Sequence, residues 1–248
     1  MSIRKQENEE LKKLILEIFF DTKERYGSPR ITAELRKRGN KVNKKRVARL
    51  MKELGISAKI FRKYKVTTNS NHTHKPSENL LGGVFKADKP NQIWTGDITY
   101  MKTKEGWIYL AAVIDLYSRK VVGWQLKKRI DTLLVKEALE IAVADRQITD
   151  GIIFHSDQGV QYASKSFREL LKNNGFQQSM SRRGNCYDNA VTESFFHTLK
   201  TELKESKSFK TREEARMYIF EYIEVFYNRK RIHSSIDYKS PVEYENLS

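Results

Sequence analysis

Residues 93–128 read IWTGDITYMKTKEGWIYLAAVIDLYSRKVVGWQLKK, and their pattern decides the fold. Three segments, about 92–103, 107–117 and 120–128, are rich in Ile, Val, Tyr, Trp and Thr. β-Branched and aromatic side chains suit a pleated, half-buried surface, so each segment reads as a strand. Lys104-Glu105-Gly106 and Ser118-Arg119 supply the turns between them. One residue breaks the apolar run. Asp97 stands between Ile93/Trp94 and Ile98, where a lone carboxylate is costly unless it is paired or bound to a metal.

Toward the C-terminus the pattern predicts a helix over 131–146, a short apolar strand over 151–156, a helix over 164–173 and a strand over 175–180. Helices at about 188–204 and 211–227 complete the domain. Three sequential strands followed by alternating helices and strands predict an α/β fold, a mixed five-stranded sheet flanked by helices. Toward the N-terminus, residues 60–86 are polar, rich in Ser, Thr and Asn, and punctuated by Pro76 and Gly82-Gly83; they read as a linker. Ahead of them, Leu11, Leu14, Ile15, Ile18 and Phe19 give a helical stripe over 9–25. Ser28-Pro29 predicts an N-cap and first turn, with Gly39 as the stop. Asn43 caps a further helix whose buried side is Val47, Leu50, Met51 and Leu54 and which ends at Gly55. Short helices joined by a tight turn, the last one basic, suggest a small all-α helix-turn-helix-like domain. The expected division is 1–60 helical and DNA-binding, 61–86 linker, and 87–248 core.

Charge supports that division. The chain of 248 residues carries a net +16, and its first 65 residues hold 20 Lys/Arg against 8 Asp/Glu. Such an excess points to a polyanionic partner, nucleic acid or an acidic membrane. Cys186 is the single cysteine, which excludes an intrachain disulfide and a multi-cysteine zinc site, leaves His72 and His74 without cysteine partners, and favours an intracellular setting. MSIRKQENEELKK turns acidic where a signal peptide turns apolar, and the longest apolar runs are too short to span a bilayer, so a cytoplasmic or nucleoid location is expected, with no membrane partner.

A phosphoryl-transfer site built on two metal ions needs hard oxygen ligands from separate elements. Asp97 is one candidate. Asp157 closes the strand GIIFHSD and opens the turn Gln158-Gly159, and Glu193 lies on the helix DNAVTESFFHTLK. Singly, each is more often a cap or a paired structural carboxylate. Asp115 reads as a structural hydrogen-bonded group, Asp188 as a helix N-cap, and His155 either lines the site or packs beside it.

Together, the segments IWTGDITYM (93–101), VIDLYSRKVVGW (113–124), FHSDQGVQYAS (154–164), SMSRRGNCYDNAVTESFFHTLKTE (179–202) and FYNRKRIHSSIDYKSPVEY (226–244) resemble the integrase-core transposases of bacterial insertion sequences, in particular the downstream-frame product. The likeness covers about residues 28–245, and thirty-five residues separate Asp157 from Glu193, as in that family's D-D-35-E pattern. It implies a ribonuclease-H-like fold, with Asp97, Asp157 and Glu193 as catalytic residues holding two Mg²⁺ ions, for which Mn²⁺ substitutes. It also implies cleavage that frees a 3′-OH, which then attacks a second phosphodiester. The implied partners are double-stranded DNA at the element's ends and target, further copies of the chain, and an upstream-frame protein as fusion or partner.

Lys200, seven residues after Glu193, returns to nearly the same helix face, so Asn189, Glu193, His197 and Lys200 form one stripe. By the resemblance, whose pattern places a lysine seven residues after the catalytic glutamate, Lys200 and with it Asn189 are expected at the DNA, with an exposed lysine on a solvated helix face as the alternative. So are Lys44, Lys45, Arg46, Arg49 and Lys52 of the basic helix, and Arg231 and His233 of the tail, for which packing of the chain end is the alternative. Two other readings stay open: a DNA-binding regulator with a silent core, and a nuclease that cleaves without joining.

Overall fold

The computed structural model describes residues 2–58, 76–146, 148, 151–182, 189–203 and 209–247. His72, His74, Cys186, Asp188 and most of the expected linker lie outside the described residues. The chain divides into two compact units, Met1–Lys63 and Tyr64–Ser248.

The first unit is three helices: α1 Ile3–Asp21, α2 Ser28–Lys37 and α3 Lys44–Glu53. Their apolar stripes meet in a core of Ile15, Ile18, Ile31, Leu35, Val47 and Leu50, each at most 2% exposed. α1 spans Ile3–Asp21 rather than the expected 9–25, because Lys23 and Glu24 adopt the left-handed conformation and break the helical ladder. Ser28 is not the cap. Gly27 takes the N-cap position and Ser28 is the first helical residue, followed by Pro29. Asn43 caps α3 as expected, its side-chain oxygen accepting from Arg46 N at 2.8 Å. Gly39 follows α2 with φ +86°, the conformation a glycine stop requires.

The second unit is built on β1 Ile93–Thr103, β2 Gly106–Asp115, β3 Val121–Lys127, β4 Ile153–Ser156 and β5 Gln177–Met180, in the order β3-β2-β1-β4-β5. β1, β2 and β3 are antiparallel neighbours; β4 joins β1 in parallel and β5 joins β4 in parallel. This is the mixed five-stranded sheet expected from sequence. Gly106 turns the β1–β2 hairpin at φ +110°. α4 Thr132–Ala144 and α6 Lys165–Asn173, with the short α5 Val160–Ala163, cover one face. Trp94, Val113, Leu134, Leu139, Phe154 and Phe167 fill the core there. α5 escapes a reading by periodicity because four residues complete barely one turn.

α7 Ala190–Glu202 adjoins β1, and α8 Arg212–Phe220 follows. The helix expected over 211–227 changes type partway. After Phe220 it widens into a π-helical stretch, Glu221–Tyr227, which buries Tyr222, Ile223, Phe226 and Tyr227 together. α9 Pro241–Glu245 starts with a capping box between Ser240 and Glu243. Some residues expected in the linker lie along β5: Leu80 N donates to Ser179 Oγ at 2.9 Å and Ser77 Oγ to Gln178 Oε1 at 2.7 Å. They cover a strand edge that would otherwise offer itself for pairing.

Candidate active site

Strand register brings the first two carboxylates together. β1 and β4 pair in parallel up to Gly96↔Ser156; Asp97 is the next residue of β1 and Asp157 the first residue beyond β4. Neighbouring strands lie roughly 4.8 Å apart, so the two carboxylates emerge side by side where β4 ends and β1 runs on. Gly96 permits this tight junction, since a Cβ there would come within 2.6 Å of Phe154 Cζ. Each carboxylate is steered by its own backbone: Asp97 Oδ1 accepts from Ile98 N at 2.7 Å and Asp157 Oδ1 from Gly159 N at 2.9 Å.

Glu193 arrives on the first turn of α7. Thr95, two residues before Asp97 and on the same strand face, lies 2.9 Å from Thr192, oxygen to oxygen. Both threonine hydroxyls donate to Asn189 Oδ1, at 3.2 and 2.9 Å. This buried cluster pins α7 to β1 beside the carboxylates. Sequence reading passed over Thr95 and Thr192; the available signal was their placement, one on the face of Asp97 and one next to Glu193.

The electrostatics follow from that placement. Burial, then the charge of Asp157, and with it that of Glu193, hold the Asp97 carboxyl well above its ordinary value, against the Ile98 N–H. Burial and Asp157 likewise raise Glu193. Tyr162 is buried against both aspartates, which push its hydroxyl up further than burial does alone. Lys200 is half-buried, with Nζ 5.0 Å from the centre of the Tyr100 ring. Burial lowers it to about 8, opposed by the attraction of Asp97. Among the described residues no three His, Cys, Asp or Glu are already gathered closely enough to hold a metal ion, so the carboxylates are neighbours in charge rather than a closed cage.

The remaining sequence candidates divide sharply. Lys44, Lys45, Arg49 and Lys52 are exposed on α3, whereas Arg46 is tied to α1 through Asn8 at 3.0 Å and Glu7 at 3.0 Å. Asn189, expected at the DNA, is buried and its carboxamide oxygen is engaged by the two threonines. Arg231, also expected there, is buried in an ion pair with Glu202 at 2.8 Å, and His233 lies against it at 3.1 Å. The side chains of Asn189 and Arg231 are drawn inward by polar partners that the interior must satisfy. Asp115 is fully buried and accepts from Asn91 N and Tyr117 N at 2.8 Å, a structural role. His155 is buried in the sheet, its Nδ1 2.8 Å from Ser179 Oγ.

Comparisons with known proteins agree with this architecture. An HTH-like domain family matches residues 6–64, and two integrase core domain families match residues 87–186 and 193–248. The intasome of simian T-cell lymphotropic virus in complex with a PP2A regulatory subunit superposes with a TM-score of 0.54 at 16% identity, covering 93% of this chain and 74% of that one. The core is therefore of the integrase class. The transposase for insertion sequence element IS904 of Lactococcus lactis is 46% identical over 98% of this chain and 96% of its own length. Transposase InsF for IS3A of Escherichia coli is 44% identical over 99% of this chain and 85% of its own length. The chain belongs to the IS3 family of insertion-sequence transposases. It is a DNA transposase rather than a silent regulator. Among the described residues no helix is long and apolar enough to cross a membrane.

Proposed function

We propose that this transposase cleaves DNA at the ends of its insertion sequence to free a 3′-OH and joins that end to target DNA, using Asp97, Asp157 and Glu193. The observation that carries the assignment is the register that sets Asp97 beside Asp157, with Glu193 delivered by the Thr95–Thr192–Asn189 cluster. Three carboxylates that feel one another's charge, one of them held well above its normal value, offer hard-oxygen donors of the kind that suit divalent cations, whose charge would relieve their repulsion. Two Mg²⁺ ions, or Mn²⁺ in their place, would supply activation of the attacking oxygen and stabilisation of the leaving one. Drawing the carboxylates together around such ions is part of the proposal.

Lys200 stays charged up to about pH 8 and is attracted by Asp97, which fits it to hold a phosphate next to the cut. The exposed Lys44, Lys45, Arg49 and Lys52 of α3 fit the phosphates of a duplex groove. Residues 1–60 then bind DNA, 61–86 connect, and 87–248 carry out the chemistry. Paired-end chemistry calls for a multimer, and an upstream-frame protein serves as fusion or partner. The setting is the bacterial cytoplasm at the nucleoid.

The test is strand transfer on labelled element ends with Mg²⁺. Asp97→Asn, Asp157→Asn and Glu193→Gln each abolish cleavage and joining while DNA binding stays near the parental level. Joining at the parental rate by any of the three removes it from the site. Cleavage with no joined product from the parental chain would favour a nuclease.

A further inference from the structure

The β1–β2 hairpin carries an aromatic wall next to the carboxylates that phosphoryl transfer does not use. Tyr100 stands opposite Tyr109, and Lys102 opposite Trp107, so the two tyrosines and the tryptophan project from one face of the hairpin. Tyr100 and Trp107 meet edge to face, with ring centres 5.1 Å apart and planes at 83°. All three rings line one cleft of about 560 Å³ together with Asp97 and Asp157. Trp94 on the same strand pair is fully buried, as a core indole should be, whereas Trp107 is 46% exposed. A half-exposed indole at the mouth of a cleft offers a large flat surface at little cost in side-chain entropy.

The chemistry of the cleft narrows its occupant. Lys200 Nζ, 5.0 Å from the Tyr100 ring centre, marks the phosphate side of the wall, whereas the half-exposed Trp107 offers an uncharged, flat surface that suits a flat, uncharged partner. Every nucleobase presents such a face, and stacking on aromatic side chains tolerates any sequence. A base can reach the wall only when it leaves the duplex stack, at a cost of a few kcal/mol that is least for a base already unpaired. We propose that Tyr100, Trp107 and Tyr109 form a stacking site for an unpaired nucleobase of the DNA strand beside the scissile phosphate. The inference rests on reading Asp97 and Asp157 as the phosphoryl-transfer site.

The test uses the full chain and a duplex of the element's terminal sequence with a two-nucleotide unpaired extension, carrying either normal bases or abasic sites. Affinity is measured without added metal, so that no strand is cut. Abasic sites keep the phosphates and remove only the flat surface, so the parental chain should bind the base-bearing extension roughly 5- to 150-fold tighter. Trp107→Ala should bring the two probes to within about twofold of each other, while Trp107→Phe keeps most of the preference. Equal binding of the two probes by the parental chain overturns the stacking site, as does an undiminished preference in Trp107→Ala. Strand transfer by Asp97→Asn is read separately. Base-independent binding with an inactive Asp97→Asn overturns the stacking site alone, and base-dependent binding with a fully active Asp97→Asn overturns the carboxylate reading alone.

Discussion

Replacing Arg231 with Met keeps the apolar stem of the side chain and deletes its charge. In the folded protein Arg231 Nη2 donates to Glu202 Oε1 at 2.8 Å and Nε donates to Glu202 Oε2 at 2.9 Å. The two side chains are 4% and 8% exposed, so neither can turn to water when its partner is lost. Glu202 would keep the hydroxyl of Tyr222, at 2.9 Å, but lose its guanidinium. Leaving one member of a buried ion pair uncompensated costs about 3–5 kcal/mol. In a domain of this size each kcal/mol lowers the melting temperature by roughly 2–4 °C, so Arg231→Met should lower it by roughly 6–20 °C. The double variant Arg231→Met, Glu202→Met should recover much of that loss, because a matched apolar pair leaves no orphaned charge. Calorimetric melting of the full chain measures both. A DNA contact would behave oppositely: the melting temperature would hold, and the log–log salt slope of DNA binding would shrink by about 0.9. That pair of results would refute the interior role.

Lys200 loses its proton near pH 8, so strand transfer that relies on its charge should fall as pH rises through about 8, and Lys200→Arg should hold its yield to higher pH; identical profiles would show that this charge is idle. Stability should move the other way. The folded-state value lies below the ordinary 10.5, the unfolded chain therefore binds more protons between the two, and this group's contribution to stability rises with pH across that window. Gly96→Ala should cost roughly 1–3 kcal/mol by denaturant unfolding, because the new methyl meets Phe154; an unchanged midpoint would mean that the ring gives way freely. A fragment of residues 1–65, with its 20 Lys/Arg against 8 Asp/Glu, should bind duplex DNA with an affinity that drops steeply with salt, each neutralised phosphate adding about −0.9 to the slope. Binding that is flat between low and moderate salt would exclude phosphate contact as its basis.

Local patterns in the sequence were enough for the strands and most helices. β-Branched and aromatic residues mark β1, β2 and β3, Pro29 and the Gly39 stop mark α2, the Asn43 cap and Gly55 mark α3, and the isolated Asp97 in an apolar strand flags itself because burying a lone carboxylate is costly. The concentration of positive charge in the first 65 residues is likewise a property of the sequence. What no local pattern encodes is the pairing of β4 beside β1, since strand pairs distant in sequence are chosen by the packing of the whole sheet; that pairing alone puts Asp157 next to Asp97. Nor does the sequence separate one cation from another. Lys200 and Arg231 are both basic residues in family-like segments, yet Lys200 lies half-buried beside Tyr100 within the attraction of Asp97 while burial against Glu202 withdraws Arg231 into the interior. Asn189 shares the helical stripe of Glu193, but the two threonines claim its oxygen. Residue type sets the chemistry a side chain can perform, and only the tertiary structure decides whether its polar atoms are left to perform it, because a buried donor or acceptor must be satisfied from within.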